Sequence, residues 1–595
     1  MSDRSFTIIG GGPAGLTAAY ELSKRNIPTT VLEKGKIVGG IARTENYKGY
    51  HFDMGGHRFF TKSEEVNKMW HEVLLNEFLQ RPRLSRIYYK QKFFNYPLKP
   101  MNALAGLGVF ESILIGCSYA RWRMFPYKVE ESLEQWVTNR FGKRLFLTFF
   151  KTYTEKVWGI PCSELKAEWA AQRIKDLDLK AAIISMFIKP KKTIKTLIEQ
   201  FDYPRLGPGM MWNAVRSQIE QRGAKVMMET DCTKIIRNGN RIDGVVVGCN
   251  GQQQTIKSTD YISSMPLTEF VKKLDPPAPA NVLEAAGKLK YRDFLTVCII
   301  VNKKDLFPDN WIYIHEASVQ VGRIQNFKNW SPNMVADENK TSLGLEYFCN
   351  EGDQLWTMSD KDLVELARQE IDKIGLANKE DVEDGCVFRV PKSYPVYDSD
   401  YVTYLGVIRD YVDSLVNFKT IGRNGLHRYN NQDHSMLTGM YAVRNLMDGK
   451  EYDLWKVNAD KEYHEISKEA PADDMAGVEQ AVKAGLSLVL EKFDRVATGA
   501  AAGVLIGAAL FLATLFLVIK GGSHPGQNLQ LLGQYFPGYK VSVSGSFLGL
   551  LYGGMSGFVF GYLFAMLTNL ISFMTVRLIQ RRAKQASMWN VLEYI

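Results

Sequence analysis

The 595-residue sequence predicts an α/β protein: a Rossmann-like domain, carrying inserted helical and mixed α+β segments, that ends in a hairpin of two apolar helices. Three observations predict it. An apolar strand at the start of the chain runs into a glycine-rich turn and a helix. A helix-rich stretch and then strand-rich sequence follow. Near the far end lie two long stretches without charge.

Composition bounds the answer. Hydrophobic residues make up 46% and charged residues 23%, ordinary globular usage that excludes an intrinsically disordered chain. The length suggests two to four domains or one elaborated fold. A mean hydropathy of −0.18 excludes a polytopic transporter, although such an average conceals one or two spans. The formal net charge of +10 is concentrated, with six basic and no acidic residues in 79–99, and four basic residues each in 181–198 and 577–584. Seven scattered cysteines form no Cys-x-x-Cys pair, so neither a zinc ribbon nor a disulfide framework is expected, and a reducing compartment is. No cluster has metal-ligand spacing, and the N-terminus lacks the apolar core of a signal peptide.

Residues 5–34 read SFTIIGGGPAGLTAAYELSKRNIPTTVLEK. The apolar strand feeds Gly10-x-Gly12-x-x-Gly15 and a helix, and a second strand ends in Glu33. The glycines permit a tight turn, approach of the backbone to a pyrophosphate and close helix–strand packing, and the helix N-terminus favours the anion. Glu33, 18 residues beyond Gly15, can accept from an adenosine ribose. A bare glycine pattern is weak, but strand, helix, second strand and acid together specify a dinucleotide site.

Next come Gly39-Gly40-Ile41-Ala42-Arg43-Thr44 and Phe52-Asp53-Met54-Gly55-Gly56-His57. The combination resembles glutathione-reductase-type flavoproteins of the amine oxidase, phytoene desaturase and UDP-galactopyranose mutase group. The resemblance implies FAD, with Gly40 and Arg43 bordering the pyrophosphate, and Gly55, Gly56 and His57 bordering the flavin ring. For His57 a purely structural role is the equal alternative; His427 and His434 are weaker candidates.

Later segments resemble the mutases in particular. Residues 149–165, FFKTYTEKVWGIPCSEL, are similar to their uridine-binding segment; by that likeness Phe149, Phe150 and Tyr153 surround the uracil and Trp158 lies near the sugar. Aromatic density suits ring stacking, and equally a core helix face. VGRIQNFKNW (321–330), Ser393-Tyr394-Pro395-Val396 and IGRNGLHRYNNQD (421–433) resemble further mutase motifs. Carried over, Arg423 lies near the flavin, Tyr394 and Tyr429 hold a diphosphate, and Asp433 stands near the start of the last FAD-contacting helix. The sequence departs from the pattern in three places. Arg173 is kept after the aromatic segment but its later partner position is Leu177, an Asp near the sugar corresponds to Asn431, and the familiar mutases have no C-terminal apolar hairpin. Arg292 is matched to the family's mobile-loop arginine through a loose alignment.

In that family a reduced flavin attacks the anomeric carbon through N5 and forms a sugar adduct, so arginines and tyrosines that bind phosphate matter more than an acid–base pair. NADH or NADPH are candidate reductants.

Val496–Ile519 is uncharged, and about 36 Å of helix would cross a bilayer core with tilt. A second span fits near Ser546–Ile571, where Gly549, Gly553, Gly554, Gly557 and Gly561 include small-xxx-small spacing. A buried soluble hairpin is the bland alternative. The basic tail RLIQRRAK (577–584) places itself and the catalytic bulk on the cytoplasmic side of an inner or cytoplasmic membrane. Residues 181–198 combine an apolar run with Lys189, Lys191, Lys192 and Lys195; they suit an anionic lipid surface or, equally, a domain-packing helix. Residues 101–120 are apolar but interrupted by Glu111, which argues against a full span.

The expected layout is 1–61 first part of the FAD domain, 62–205 mainly helical insertion, 206–450 FAD continuation and mixed substrate domain, 451–495 linker and helix, 496–577 hairpin, and 578–595 basic tail. In 206–450, the Asn-Gly-Asn within 224–248 marks a β-hairpin. Three functions remain open. They are a pyranose/furanose mutase acting on a polyprenyl-phosphate- or nucleotide-linked sugar, an FAD-dependent oxidase or desaturase of a hydrophobic substrate, and a non-catalytic flavoprotein scaffold. Membrane lipids are expected partners and nucleic acid is not; an oligomer is compatible with the sequence.

Overall fold

A computed structural model describes residues 4–96, 98, 100–167, 200–249, 252–458, 493–521 and 526–592. Arg173 and the basic segment 181–198 lie outside them. The chain forms two compact units, Met1–Lys468 and Glu469–Ile595.

The first unit is founded on a five-stranded parallel sheet in the order 418–420, 260–263, 6–9, 29–32, 225–227. Phe6–Ile9 is buried along its whole length, as a strand covered on both faces must be, and pairs in register with Asp260–Ser263 and Thr29–Leu32. Helix Pro13–Lys24 leaves the first strand with Pro13 at its start, where a missing N–H costs nothing. Helix Gln432–Asp448 lies against it so closely that a Cβ on Gly439 would stand 2.4 Å from the Ala14 carbonyl oxygen. The sheet is thus assembled from both ends of the unit, and everything between its strands is insertion.

A seven-stranded sheet forms the second layer, in the order 382–395, 291–301, 341–349, 323–326, 311–314, 85–89, 92–95. All nine residues of Thr341–Cys349 are buried. The expected hairpin appears as Asp231–Asn238 paired antiparallel with Arg241–Cys249. The stretch 62–205 is less helical than its sequence suggests. Ser85–Tyr89 and Lys92–Asn95 extend the seven-stranded sheet, and Phe78–Pro82 pairs with Gln200–Pro204. Their alternating Arg, Lys and aromatic residues hid the period of a strand. Past residue 450, Leu454 and Trp455 are buried in a short 3-10 turn, and the rest of the linker to 492 lies outside the described residues.

In the second unit, helices Arg495–Lys520 and Val543–Leu592 pair along small residues. Over Arg495–Lys520 and Val543–Leu570 both are long and apolar enough to cross a membrane. A Cβ on Gly503 would meet the Gly554 carbonyl oxygen at 2.7 Å, and one on Gly557 the Ala502 carbonyl oxygen at 2.6 Å. The sequence showed the glycine row on the second helix; Gly499, Gly503 and Gly507 supply the row it faces.

This packing makes Gly503→Ala destabilising for the helix pair by about 1–3 kcal/mol, the usual cost of overpacking. Gly554→Ala, whose Cβ would find the Gly503 carbonyl oxygen at an ordinary 3.8 Å, is expected to be tolerated. Detergent or steric-trap unfolding of the full chain, read by an interhelical distance probe, checks the contrast.

Candidate active site

The turn after the first strand is built for close approach. Gly10 has φ +103°, and a Cβ on Gly15 would stand 2.0 Å from the Gly10 carbonyl oxygen, so only glycine lets the helix begin there. Gly39 and Gly40, with φ +107° and +56°, bring the next loop back over it, and Gly39 N–H donates to the Gly11 carbonyl at 2.8 Å. Glu33 ties the two loops. Its carboxylate accepts from Gly11 N–H at 2.8 Å and Gly35 N–H at 2.7 Å, which leaves further lone pairs for a ligand hydroxyl. Arg43 closes its own turn through Glu45 (2.6 Å) and the Gly40 carbonyl (3.0 Å).

The loop after Tyr50–Asp53 carries Gly55, Gly56 and His57 to a pocket that is also lined by Arg323, Arg423, Tyr394 and Tyr429. Asp53 itself turns inward, accepting from Tyr203 and, at 2.8 Å, from Thr44. Burial pushes its carboxyl up to about 7 against those two hydrogen bonds. His57 Nδ1 lies 3.0 Å from the Gly55 carbonyl. Burial, with Arg423 beside it, lowers the imidazole to about 3, so it is neutral at physiological pH. Tyr394 and Tyr429 stack at 5.4 Å and 17°, and the Arg423 guanidinium lies over Tyr429 at 4.6 Å. Arg423 also donates to the carbonyls of Asn430 (2.9 Å) and Ser393 (3.2 Å). Burial raises the Tyr394 phenol, which therefore stays protonated and able to donate.

Beneath them Arg323 donates to Glu346 from Nε at 2.9 Å, and Gln325 donates to the other carboxylate oxygen at 2.9 Å. Glu346 is fully buried. Burial alone would lower the Arg323 guanidinium, but Glu346 outweighs it and holds it well above its ordinary value. Arg58 and Gln432 complete this wall, and the lining contains no Asp or Glu. The Gln432 Oε1 atom is buried without a protein partner.

The aromatic segment is placed differently from its expected role. Leu147–Lys151 is a π-helical turn inside the helical run, a register the sequence does not announce. Phe149 packs edge-on against Phe94 at 5.1 Å, and Phe150 stacks on Phe141 at 5.5 Å. Tyr153 lies flat on His315 at 5.1 Å and 5°. Trp158 does reach the site, 6.1 Å from both Tyr394 and Tyr429. Asn431 lines the pocket as the N-cap of helix Gln432–Asp448, and Asp433 follows in its first turn, 3.3 Å from His434. Arg292 is a correction. It sits within strand Tyr291–Val301, not in a mobile loop; it donates to the Phe348 carbonyl at 2.8 Å, and a Cβ on Gly159 would stand 2.6 Å from its Cζ. Arg58, Arg323 and Gln432 are lining residues to which the sequence assigned no role.

Residues 13–427 match the family described as flavin containing amine oxidoreductases. The chain belongs to that family. Among solved structures it is similar to a reduced UDP-galactopyranose mutase, with TM-score 0.68 and 20% identity over 77% of this chain and 98% of the other. It is also similar to a putative protoporphyrinogen oxidase from Exiguobacterium sp. 255-15, with TM-score 0.59 and 15% identity over 76% of this chain and all of the other. At such identities the likeness is one of fold. By sequence it is 28% identical to coproporphyrinogen III oxidase of Mycobacterium leprae, over 24% of this chain and 35% of that protein. It is 34% identical to L-amino acid oxidase bordonein-L of Crotalus durissus terrificus, over 50% of this chain and 58% of that one. The chain thus spans about a third to three-fifths of the length of these curated relatives.

FAD, which the family implies, fits the residues present. The glycine turns leave room for a pyrophosphate where side chains would collide, Glu33 stands at the strand end for the ribose, and Gln432, whose Oε1 has no protein partner, lines the pocket with His57.

Two outcomes follow from the buried charges. Glu346→Gln leaves the Arg323 charge uncompensated and is expected to cost about 3–5 kcal/mol in chemical denaturation; a loss of about 1 kcal/mol or less, as for an exposed pair, would contradict the pairing. Between about 3 and 6.5 the unfolded chain protonates His57 while the folded protein does not. The stability that the neutral imidazole contributes is therefore complete above 6.5 and is lost as pH falls toward 3. His57→Gln is expected to remove about one proton from the uptake on unfolding in that window, against a background set by His315 and His427 and, with the opposite sign, by Asp53.

Proposed function

We propose that the protein is a membrane-anchored, flavin-dependent mutase that interconverts ring forms of a phosphate-linked sugar, carried on a polyprenyl phosphate. One observation carries this reading: the pocket presents three guanidiniums and two phenols and no carboxylate. Such a wall binds phosphate oxygens by charge-assisted and bidentate hydrogen bonds and offers no effective general base, since the His57 imidazole, lowered to about 3, holds a proton too weakly and the Glu346 charge is spent on Arg323. Bound reduced flavin supplies the nucleophile. Arg323, Arg423, Tyr394 and Tyr429 hold the phosphate as it leaves the anomeric carbon and keep it in place to be recaptured. Trp158 covers the sugar and keeps water from that carbon.

The packing of the aromatic segment favours the lipid carrier over a nucleotide. The Tyr153 face is covered by His315, and Phe149 and Phe150 are engaged with other rings, so a nucleobase would have to displace the protein's own stacks. The two apolar helices fit the same carrier as a membrane anchor, with the basic tail on the cytoplasmic side. A second reading, oxidation of a hydrophobic or anionic substrate, is favoured by the names of the curated relatives, which are oxidases.

Full-length enzyme in nanodiscs, reduced anaerobically, is expected to convert a polyprenyl-phosphate-linked pyranose to its furanose while the flavin spectrum returns unchanged. It should act poorly on the nucleotide-linked sugar. Substrate-dependent flavin reduction or oxygen consumption would decide for the oxidase. Tyr394→Phe or Tyr429→Phe keeps the ring stack and removes one donor to a charged group. Each is expected to lower kcat/KM by about 1.5–3 kcal/mol, roughly 10- to 150-fold.

A further inference from the structure

Helix Val109–Met124 turns its acid toward the protein and leaves large apolar side chains exposed. Its only acid, Glu111, turns toward the protein and pairs with Arg144 through two hydrogen bonds of 2.6 and 2.7 Å. Ser118 accepts from the Arg144 N–H at 3.1 Å on the same side, and Ile115 is buried. The opposite face carries Phe110, Ile113, Cys117, Ala120 and Met124, spaced three and four apart, so they form one stripe. Phe110 is 76% exposed, Ile113 58% and Met124 67%. The stripe runs on into Phe125 and Val129, 72% and 63% exposed. Water-soluble surfaces rarely carry such a contiguous apolar patch. At its C-terminal end stand the exposed cations Arg121, Arg123 and Lys128, which outnumber the exposed Glu131, while Glu130 is occupied by Asn139 and Arg140.

We infer that this face, from Phe110 to Val129, docks into the headgroup layer of an anionic bilayer, with the apolar stripe among the upper acyl chains and the cations at the lipid phosphates. The inference rests on the membrane reading above, and goes beyond it by giving the flavin-binding unit its own lipid contact. Charge decides for lipid over a second copy of the chain. Two copies meeting in parallel through this stripe would bring like cations together, and two meeting antiparallel would leave them at opposite ends beside the partner's uncharged end, whereas an anionic surface pairs with them. Each cation near such a surface adds to the attraction, and long basic side chains reach the headgroups from a helix lying below them.

Cys117, on the stripe and exposed, provides a native probe. The full-length flavoprotein, labelled there with an environment-sensitive maleimide and with Cys117→Ser as the blank, is reconstituted into phosphatidylcholine vesicles with or without phosphatidylglycerol. Expected are a blue-shifted emission and quenching by nitroxide-tailed lipids, both weaker without phosphatidylglycerol. In a Phe110→Asp/Phe125→Asp variant that retains the flavin spectrum, the quenching is lost while the protein stays in the alkaline-carbonate pellet, held by its hairpin. A water-like probe, quenched by iodide and not by the nitroxide lipids, overturns the inference. A dry probe that nitroxide lipids do not reach also overturns it, and assigns the face to a second copy or to another part of the chain. If carbonate extracts the unmodified protein, the hairpin reading fails by itself; lipid quenching at Cys117 before extraction still supports the docking face, and its absence still refutes it.

Discussion

Arg323 keeps its charge inside the protein because Glu346, with no solvent exposure, accepts from its guanidinium and from Gln325. An unpaired ion so placed would cost several kcal/mol. The pair is therefore a fixed object around which the loop at Gly55–His57 and the stacked tyrosines are arranged. It also settles the chemistry of its neighbours. Burial disfavours a charge on His57, and Arg423 and, more weakly, Arg323 add to it. What remains is a pocket lined by guanidiniums, phenols and a neutral imidazole, with no carboxylate. Such a pocket holds an anion without exchanging protons with it.

The scaffold explains how residues so far apart in sequence meet. Arg323 and Glu346 face each other across adjacent antiparallel strands of the seven-stranded sheet. Tyr394 lies at the end of its edge strand, and Tyr429 and Asn431 precede the helix that packs on the one following the glycine turn. The pocket thus forms where the parallel nucleotide-binding sheet and the antiparallel sheet adjoin. Small ligands collect at such seams because strand ends leave backbone and side chains free to turn toward a common space.

Much of this was legible in the sequence. Gly10, Gly12, Gly15 and Glu33 declare themselves through spacing, because the turn tolerates little else. The apolar hairpin declares itself through the absence of charge. The Arg323–Glu346 pair was not legible: each is a lone charge inside an apolar strand, VGRIQ and SLGLEYFC, and nothing in the sequence gives the register that joins them. The π-turn at Leu147–Lys151 and the strand at Ser85–Tyr89 were not legible. The first needs an inserted residue in a helical hydrogen-bond ladder. The second alternates arginine and tyrosine, whose long side chains are apolar along their length and polar at their ends. Arg292 was misread for a related reason: a motif match carries an arginine to a position but does not say which way its strand turns it.

The two apolar features of the chain answer to different physics. Gly499, Gly503 and Gly507 let two helices approach until backbone touches backbone, an arrangement that depends on small residues and leaves the larger Leu and Phe side chains facing outward. The stripe from Phe110 to Met124 does the opposite, leaving large side chains mostly exposed, with cations at one end. A helix pair that crosses a bilayer needs no charge attraction to stay there, whereas a face that lies on one does, since its buried area is small and its binding reversible. The proposed carrier, with its long hydrocarbon tail, would meet the enzyme at the lipid surface. A catalytic unit tethered only through a linker would meet it in random orientations. A second contact on that unit limits those orientations, which is the service a positioning interaction renders to a reaction between a membrane substrate and a pocket of fixed shape.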